Sequence, residues 1–436
     1  MRQHYIKLNN GMQLIVDCIP HIESVSTKVL FKVGSRNEDH ATEGISHCIE
    51  HMNFKGTTSR STQQIAEEID LVGGHINAYT SRERTIYYTK VLKDDFQLSV
   101  DILADITQNS IYDEEELRRE KNVILQEIAE SLDDPEDLVF DILQQQAFPG
   151  HQIGKPIAGT AESVMRIECN SILQYVNKYY TSNNTIIAVS GNVEQRKVIE
   201  LVDRYFAKKS QKTIPQQNLN QSEQSNNTNN TIFEPKYGGG DVRVAKDIEL
   251  IHVALAFNGI SYYDENYYAQ QVASIIIGGG MSSRLFQEIR EKRGLAYNIS
   301  SFLLIHKDCG LSGVYAATAP NTINELISVI IEQLHALTHS VKSEEVQRAK
   351  AQIKSSLLME QESSTSRAEK IVVDYAIFGR FIDINEIIQK IDAIDEYVVQ
   401  CRIKSMLDNA KVHNPTLSAV GNIKTMCSYD KVLCKL

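Results

Sequence analysis

His47-Cys48-Ile49-Glu50-His51 places two imidazoles and a carboxylate at helical spacing. On an α-helix, residues three and four apart share one face, with Cβ atoms about 5–6 Å apart. Such a face lets His47 and His51 ligate one ion while Glu50 reaches a water bound to it. The order His-x-x-Glu-His inverts the commoner His-Glu-x-x-His, and both are metallopeptidase signatures. Five residues make a short pattern. With 12 His and 56 acidic residues among 436, roughly 0.04 such matches arise by chance. A catalytic zinc also needs a third protein ligand, its fourth position being left to water. Cys48 points about 100° around the helix from His47, which makes it a packing residue rather than a ligand.

The elements that would position these residues alternate in type. Strand patterns run over Gln13–Val16, Val25–Val33 and Ile86–Val91. A capping box, Ser61-x-x-Gln64, opens a helix that ends at Gly73-Gly74. A second helix starts at Asp113-x-x-Glu116, carries Leu117, Ile124, Ile128 and Leu132 on one side, and stops before Asp134-Pro135. It presents Glu120 and Glu127 two turns apart on one face. On spacing alone, such a pair is usually just a solvated stripe. Strands in hairpin-like pairs and helices in runs indicate an α+β fold rather than a parallel α/β sheet.

Two domains are expected from 436 residues. Residues 1–213 read as a first α+β domain, 214–240 as a polar Asn/Gln/Ser/Gly linker, and 241–436 as a second, related domain. The linker contains Asn226-Asn227-Thr228-Asn229-Asn230, which cannot bury enough apolar surface to order itself. Ile187-Ala188-Val189-Ser190-Gly191-Asn192 recurs as Leu417-Ser418-Ala419-Val420-Gly421-Asn422, and Glu116–Lys121 recurs loosely as Glu345–Lys350. The offsets, 230 and 229 positions, indicate one duplicated unit. The second half lacks the histidine motif, and Ser356 stands opposite Glu127, so one Zn2+ per chain is expected.

A net charge of −11 argues against nucleic acid or an anionic membrane surface as partner. Seven scattered cysteines without a CxxC pair suggest a reducing compartment. No signal-peptide core opens the chain, and no apolar run approaches the about 18 residues a membrane span needs. The expectation is a cytoplasmic protein, with an organellar matrix open.

Gly44–Thr57 resembles the active-site segment of pitrilysin-type (inverzincin) metallopeptidases, most closely the branch with mitochondrial processing peptidase and small bacterial zinc proteases. In that family a third ligand follows the second histidine at about the separation of Glu127 from His51. The resemblance therefore implies that Glu127 completes the set, that Glu120 orients a ligand, and that Glu50 is the general base. Where this chain has Cys48, the family usually carries an aromatic. The resemblance assigns Arg290 and Tyr297, seven residues apart, to the substrate backbone and the oxyanion. On pattern alone that segment is a Gly278-Gly279-Gly280 turn feeding an amphipathic helix, and it lacks the GK[ST] of a phosphate loop. Asn77, Ala78, Tyr79 and Thr80 resemble the edge strand to which extended substrate adds, and Phe54 the wall of the pocket just past the cleaved bond. Asp137 and Asp141 match acidic positions that receive an arginine upstream of the cut, although solvated helix carboxylates would look the same.

The implied fold is two similar α+β domains forming a clamshell around a chamber. The implied activity is zinc endopeptidase action on short or unfolded, basic, extended peptides. Two alternatives stay open: a metal-binding subunit that needs a related partner, and a non-catalytic scaffold subunit. The sequence leaves open a homodimer or a heterodimer with a related subunit.

Overall fold

The computed structural model describes residues 3–206 and 234–436. Most of the expected linker, through residue 233, lies outside the described residues. The chain divides into two compact units that are not consecutive spans. Unit 1 consists of Met1–Leu125, Ile157–Glu234 and Glu362–Gly379. Unit 2 consists of Gln126–Pro156, Pro235–Gln361 and Arg380–Leu436. These units interleave along the chain, unlike the consecutive spans 1–213 and 241–436 expected from composition. Residues 126–156 pack with unit 2 and residues 362–379 with unit 1.

The first half of the chain forms β1 (Gln3–Lys7), β2 (Gln13–Cys18), β3 (Ser24–Phe31), α1 (Ile45–Met52), α2 (Thr62–Leu71), β4 (His75–Thr80) and β5 (Thr85–Leu92). It continues with α3 (Phe96–Gln108), α4 (Glu114–Asp133), α5 (Pro135–Ala147), α6 (Ala161–Arg166), α7 (Cys169–Tyr179), β6 (Thr185–Gly191) and α8 (Gln195–Phe206). The second half forms β7 (Gly240–Ala245), β8 (Ile251–Asn258), α9 (Tyr267–Gly278), β9 (Ala296–Ile305), β10 (Gly310–Thr318), α10 (Ile323–Leu337) and α11 (Ser343–Glu360). It ends with α12 (Ser364–Phe378), α13 (Ile384–Asp392), α14 (Glu396–His413), β11 (Thr416–Gly421) and α15 (Tyr429–Leu433).

The two sheets repeat one topology. Strand order is β1-β2-β6-β3-β5-β4 in unit 1 and β7-β11-β8-β10-β9 in unit 2. Without β1 the orders correspond strand for strand. In each sheet one pair is parallel (β2 with β6, β7 with β11) and the remaining pairs are antiparallel. This is the expected α+β class with antiparallel-rich sheets. The central strands β6 and β11 are buried along their whole length, as near-continuous apolar runs require. Each ends in a glycine for a steric reason. Gly191 and Gly421 hold φ of +148° and +134°, and an added Cβ would meet Ser24 O at 2.4 Å and Leu250 O at 2.6 Å.

Each sheet is covered on one face by a helix from the other half of the chain. In unit 1, α12 packs on β6, β3 and β2. In unit 2, α5 packs on β11, β8 and β7, where Val139, Leu143 and Ala147 meet Ala254, Ala256 and Tyr315. The opposite face of the unit 2 sheet packs on α9, α10 and α14 in a second apolar core.

Candidate metal centre

α1 is amphipathic in the way its sequence dictates. Ile45, Cys48, Ile49 and Met52 are buried, a stripe at i, i+3, i+4 and i+7. His47, Glu50 and His51 occupy the other side and are only partly buried. No side chain on α1 caps its start. Instead the Glu38 carboxylate accepts the amide protons of Gly44 at 2.8 Å and Ser46 at 2.9 Å. An anion at a helix N-terminus is favoured by the macrodipole. Burial still pushes the Glu38 carboxyl up to about 7, against the opposing pull of those amide bonds. Gly44 holds φ +89°, and a Cβ there would come within 2.5 Å of Ala158 O.

α4 carries Glu127, the candidate third ligand. It is one unbroken helix, and the partition of the chain falls within it after Leu125. Ligand atoms of His47, His51 and Glu127 all lie within 4.8 Å of one another. Among the described residues these are the only three His, Cys, Asp or Glu side chains so grouped. Two imidazoles and a carboxylate suit zinc, with a fourth position left for water.

The surroundings fit the ion. Buried Glu120 meets His51 Nδ1 at 3.1 Å through Oε2 and Lys55 Nζ at 2.7 Å through Oε1. With Nδ1 directed at a carboxylate, Nε2 is the atom His51 would offer to an ion. His47 is held neutral by burial, reinforced by neighbouring His51, so its proton is lost at about pH 4. Neutral imidazole is the form that binds metal. Cys48 is fully buried, and burial pushes its thiol up to about 12, so it offers no thiolate.

Glu50 is held separately. Thr80 Oγ1 donates to its Oε2 at 2.5 Å. Thr80 ends β4, which lies at the edge of the sheet, paired to β5 alone. The expected edge strand of Asn77, Ala78, Tyr79 and Thr80 is therefore an edge in the fold. Phe54 follows α1, half-buried, with its ring 6.2 Å from that of Tyr87. In unit 2, Asp137 and Asp141 sit one turn apart on α5. Arg290 and Tyr297 are neighbours in unit 2. The guanidinium carbon lies 4.2 Å from the Tyr297 ring and 4.7 Å from that of Phe286, and Tyr297 is 81% exposed. Arg290 lies in a π-helical turn, Phe286–Glu291, a distortion frequent at functional sites.

Sequence reasoning missed Glu38 and Lys55. Lys55 stands four positions after His51, one turn on, and that spacing was a usable signal. Nothing local marks Glu38, which acts across a loop.

The Insulinase (Peptidase family M16) model matches residues 17–161, and the Peptidase M16 inactive domain model matches residues 166–353. An uncharacterised zinc protease of Rickettsia felis is 40% identical over 94% of this chain and 97% of its own. One from Bacillus subtilis is 34% identical over 88% and 91%. A probable mitochondrial-processing peptidase subunit beta of Arabidopsis thaliana is 33% identical over 97% and 79%. A protease from Helicobacter pylori has the same fold, with TM-score 0.85 and 23% identity over 96% of this chain and 99% of its own. With its HxxEH helix, its grouped third carboxylate and these relatives, the chain belongs to the M16 family of metallopeptidases.

Proposed function

We propose that this chain is a zinc endopeptidase acting on short or unfolded, basic, extended peptides, with one ion held by His47, His51 and Glu127. The observation that carries the reading is the grouping of those three ligands on two helices, with Glu50 beside them on the ligand helix and tethered by Thr80. Zinc in that position would supply a Lewis acid and lower the pKa of a bound water toward 7. Glu50 takes a proton from the attacking water as the C–O bond forms and the carbonyl oxygen becomes an oxyanion, then returns it to the leaving nitrogen as the peptide C–N bond breaks. Glu120 and Lys55 keep His51 in one tautomer and orientation. Edge strand β4 accepts the substrate backbone as a further strand, which gives affinity with little sequence preference. Phe54 lines the pocket after the cleaved bond, and Asp137 and Asp141 receive a basic side chain before it. Arg290 and Tyr297 hold the substrate backbone and donate to the oxyanion.

The test is zinc analysis of the purified chain, with cleavage of a basic peptide by wild type and Glu50→Gln. One zinc in both proteins, and a loss of at least about a hundredfold in kcat in the variant, is expected. Equal cleavage by both would remove Glu50 from the role given to it. A second reading is favoured by relatives named as beta subunits of mitochondrial-processing peptidase. It makes this chain the metal-binding subunit of a pair. Zinc bound without cleavage by the isolated chain would select it, and absence of zinc would select a scaffold. No helix among the described residues is long and apolar enough to cross a membrane.

A further inference from the structure

Glu369 lies on α12, the helix that reaches unit 1 from the far end of the chain. Two positions earlier, Arg367 forms two bonds of 2.7 Å to Asp17 on β2. Residues two apart on a helix point about 200° from each other, toward opposite flanks. Glu369 accordingly reaches the other way across the sheet. Its Oε2 meets Lys28 Nζ on β3 at 2.6 Å, and its Oε1 accepts from the hydroxyl of Tyr79 on β4. Lys28 is almost fully buried and also lies 4.3 Å from the Tyr88 ring centre, so the carboxylate that meets it has little freedom.

Tyr79 and Thr80 are consecutive residues of a strand, so their side chains point to opposite faces. Tyr79 is bonded on the α12 face, and Thr80 on the α1 face donates to Glu50. Two adjacent side chains of β4 thus join α12 to the HxxEH helix. An edge strand has ladder bonds on one side only, and such elements open at low free energy unless something else holds them.

We propose that Glu369 is a positioning residue of the peptidase site. Through Tyr79 it fixes β4, and with it both the rail for the substrate backbone and Thr80 beside Glu50. The kinetic part of this proposal rests on the peptidase reading above. Tyr79→Phe removes one hydroxyl and leaves the Lys28–Glu369 pair and the ring in place, so its fold is preserved.

The experiment compares Tyr79→Phe, Glu369→Ala and Glu369→Gln with wild type. Its readouts are KM and kcat on an extended basic peptide, zinc content, and amide hydrogen exchange along β4 and α1. The Tyr79 hydroxyl also bonds Arg84, so Tyr79→Phe loses the charge-assisted bond to Glu369 together with that contact, and a KM about tenfold higher is expected, with kcat changed less. Exchange over Asn77–Thr80 quickens by a similar factor, while zinc content and α1 exchange hold. Glu369→Gln, which keeps an acceptor for Tyr79, recovers most of what Glu369→Ala loses. Adding Tyr79→Phe to Glu369→Ala raises KM by less than Tyr79→Phe does in the wild-type chain, the remainder belonging to the Arg84 contact. Unchanged KM and unchanged β4 exchange in Tyr79→Phe would overturn the proposal, as would additive effects in the double variant. A wild-type chain that cleaves nothing would remove the peptidase reading, and β4 exchange would still decide the part of Glu369.

Discussion

The two units share a topology and differ in what they bury. Among the described residues, the charged side chains that are buried in unit 1 are Asp17, Lys28, Arg36, Glu38, Glu43, Asp105, Glu120 and Arg367. In unit 2, Glu345 alone is in that class. The contrast is sharpest under the exchanged helices. Asp17 faces Ser190 across the parallel pair of unit 1, and Val244 faces Val420 across that of unit 2. Lys28, opposite Ala188, has Ala254, opposite Ser418, as its counterpart. One sheet therefore meets its helix through ion pairs and the other through volume. Buried ion pairs are weak as net stabilisers but demanding in geometry. Apolar packing stabilises more cheaply and fixes direction less. The polar arrangement occurs in the unit that carries the HxxEH helix, Glu38 at that helix's start and Glu120 behind His51, where orientation matters more than stability.

The comparison can be broken most directly at Asp17. Arg367→Met leaves a carboxylate buried without its cation, and urea denaturation is expected to show a loss of about 4 kcal/mol. Asp17→Val, Ser190→Val and Arg367→Met together give unit 1 the surface of unit 2, and most of that loss is expected to return. A triple variant no more stable than the single one would show that the ion pair is not the relevant difference. On the other side, Leu143→Ala on α5 creates a cavity in an apolar core and should cost about 3 kcal/mol, with no dependence on salt.

A pH-dependent effect tests the buried charge at α1. The folded Glu38 carboxyl titrates at about 7, above the ordinary value of 4.5, so the folded state holds its proton more tightly. Its contribution to stability is full below pH 4.5 and is lost as pH rises through 7. Glu38→Gln should therefore flatten the stability profile between pH 4.5 and 7, measured by urea denaturation across that range. An identical slope in both proteins would exclude the assignment. The smallest effect belongs to Lys246, which donates from the surface of unit 2 to Leu132 O at 2.7 Å and Asp133 O at 3.0 Å at the end of α4. Lys246→Met is expected to shift stability by no more than about 1 kcal/mol.

Much of the candidate site could be read directly from the chain because it is local. The HxxEH face, the capping box at Ser61 and the helix from Asp113 toward Asp134-Pro135 all follow from short-range spacing, and they fold as α1, α2 and α4. The matched Gly191 and Gly421 segments revealed the duplication, and their positive φ explains why both kept glycine. The exchange of α5 and α12 left no such mark. Each is an ordinary amphipathic helix, and no pattern within it names the sheet it will cover.

By itself the sequence determined the candidate ligand types, their helical spacing, the repeated unit and the family, because each depends on residues near one another or on a resemblance carried by motifs. Only the tertiary structure decided that Thr80 holds Glu50, that Lys55 and Glu120 brace His51, and that Glu38 caps α1. It also decided that Arg367 meets Asp17 across 350 positions and that Glu369 meets Tyr79 across 290. Contacts at that separation depend on how sheets and helices stack. Stacking is set by the burial of whole faces, which no single residue type encodes.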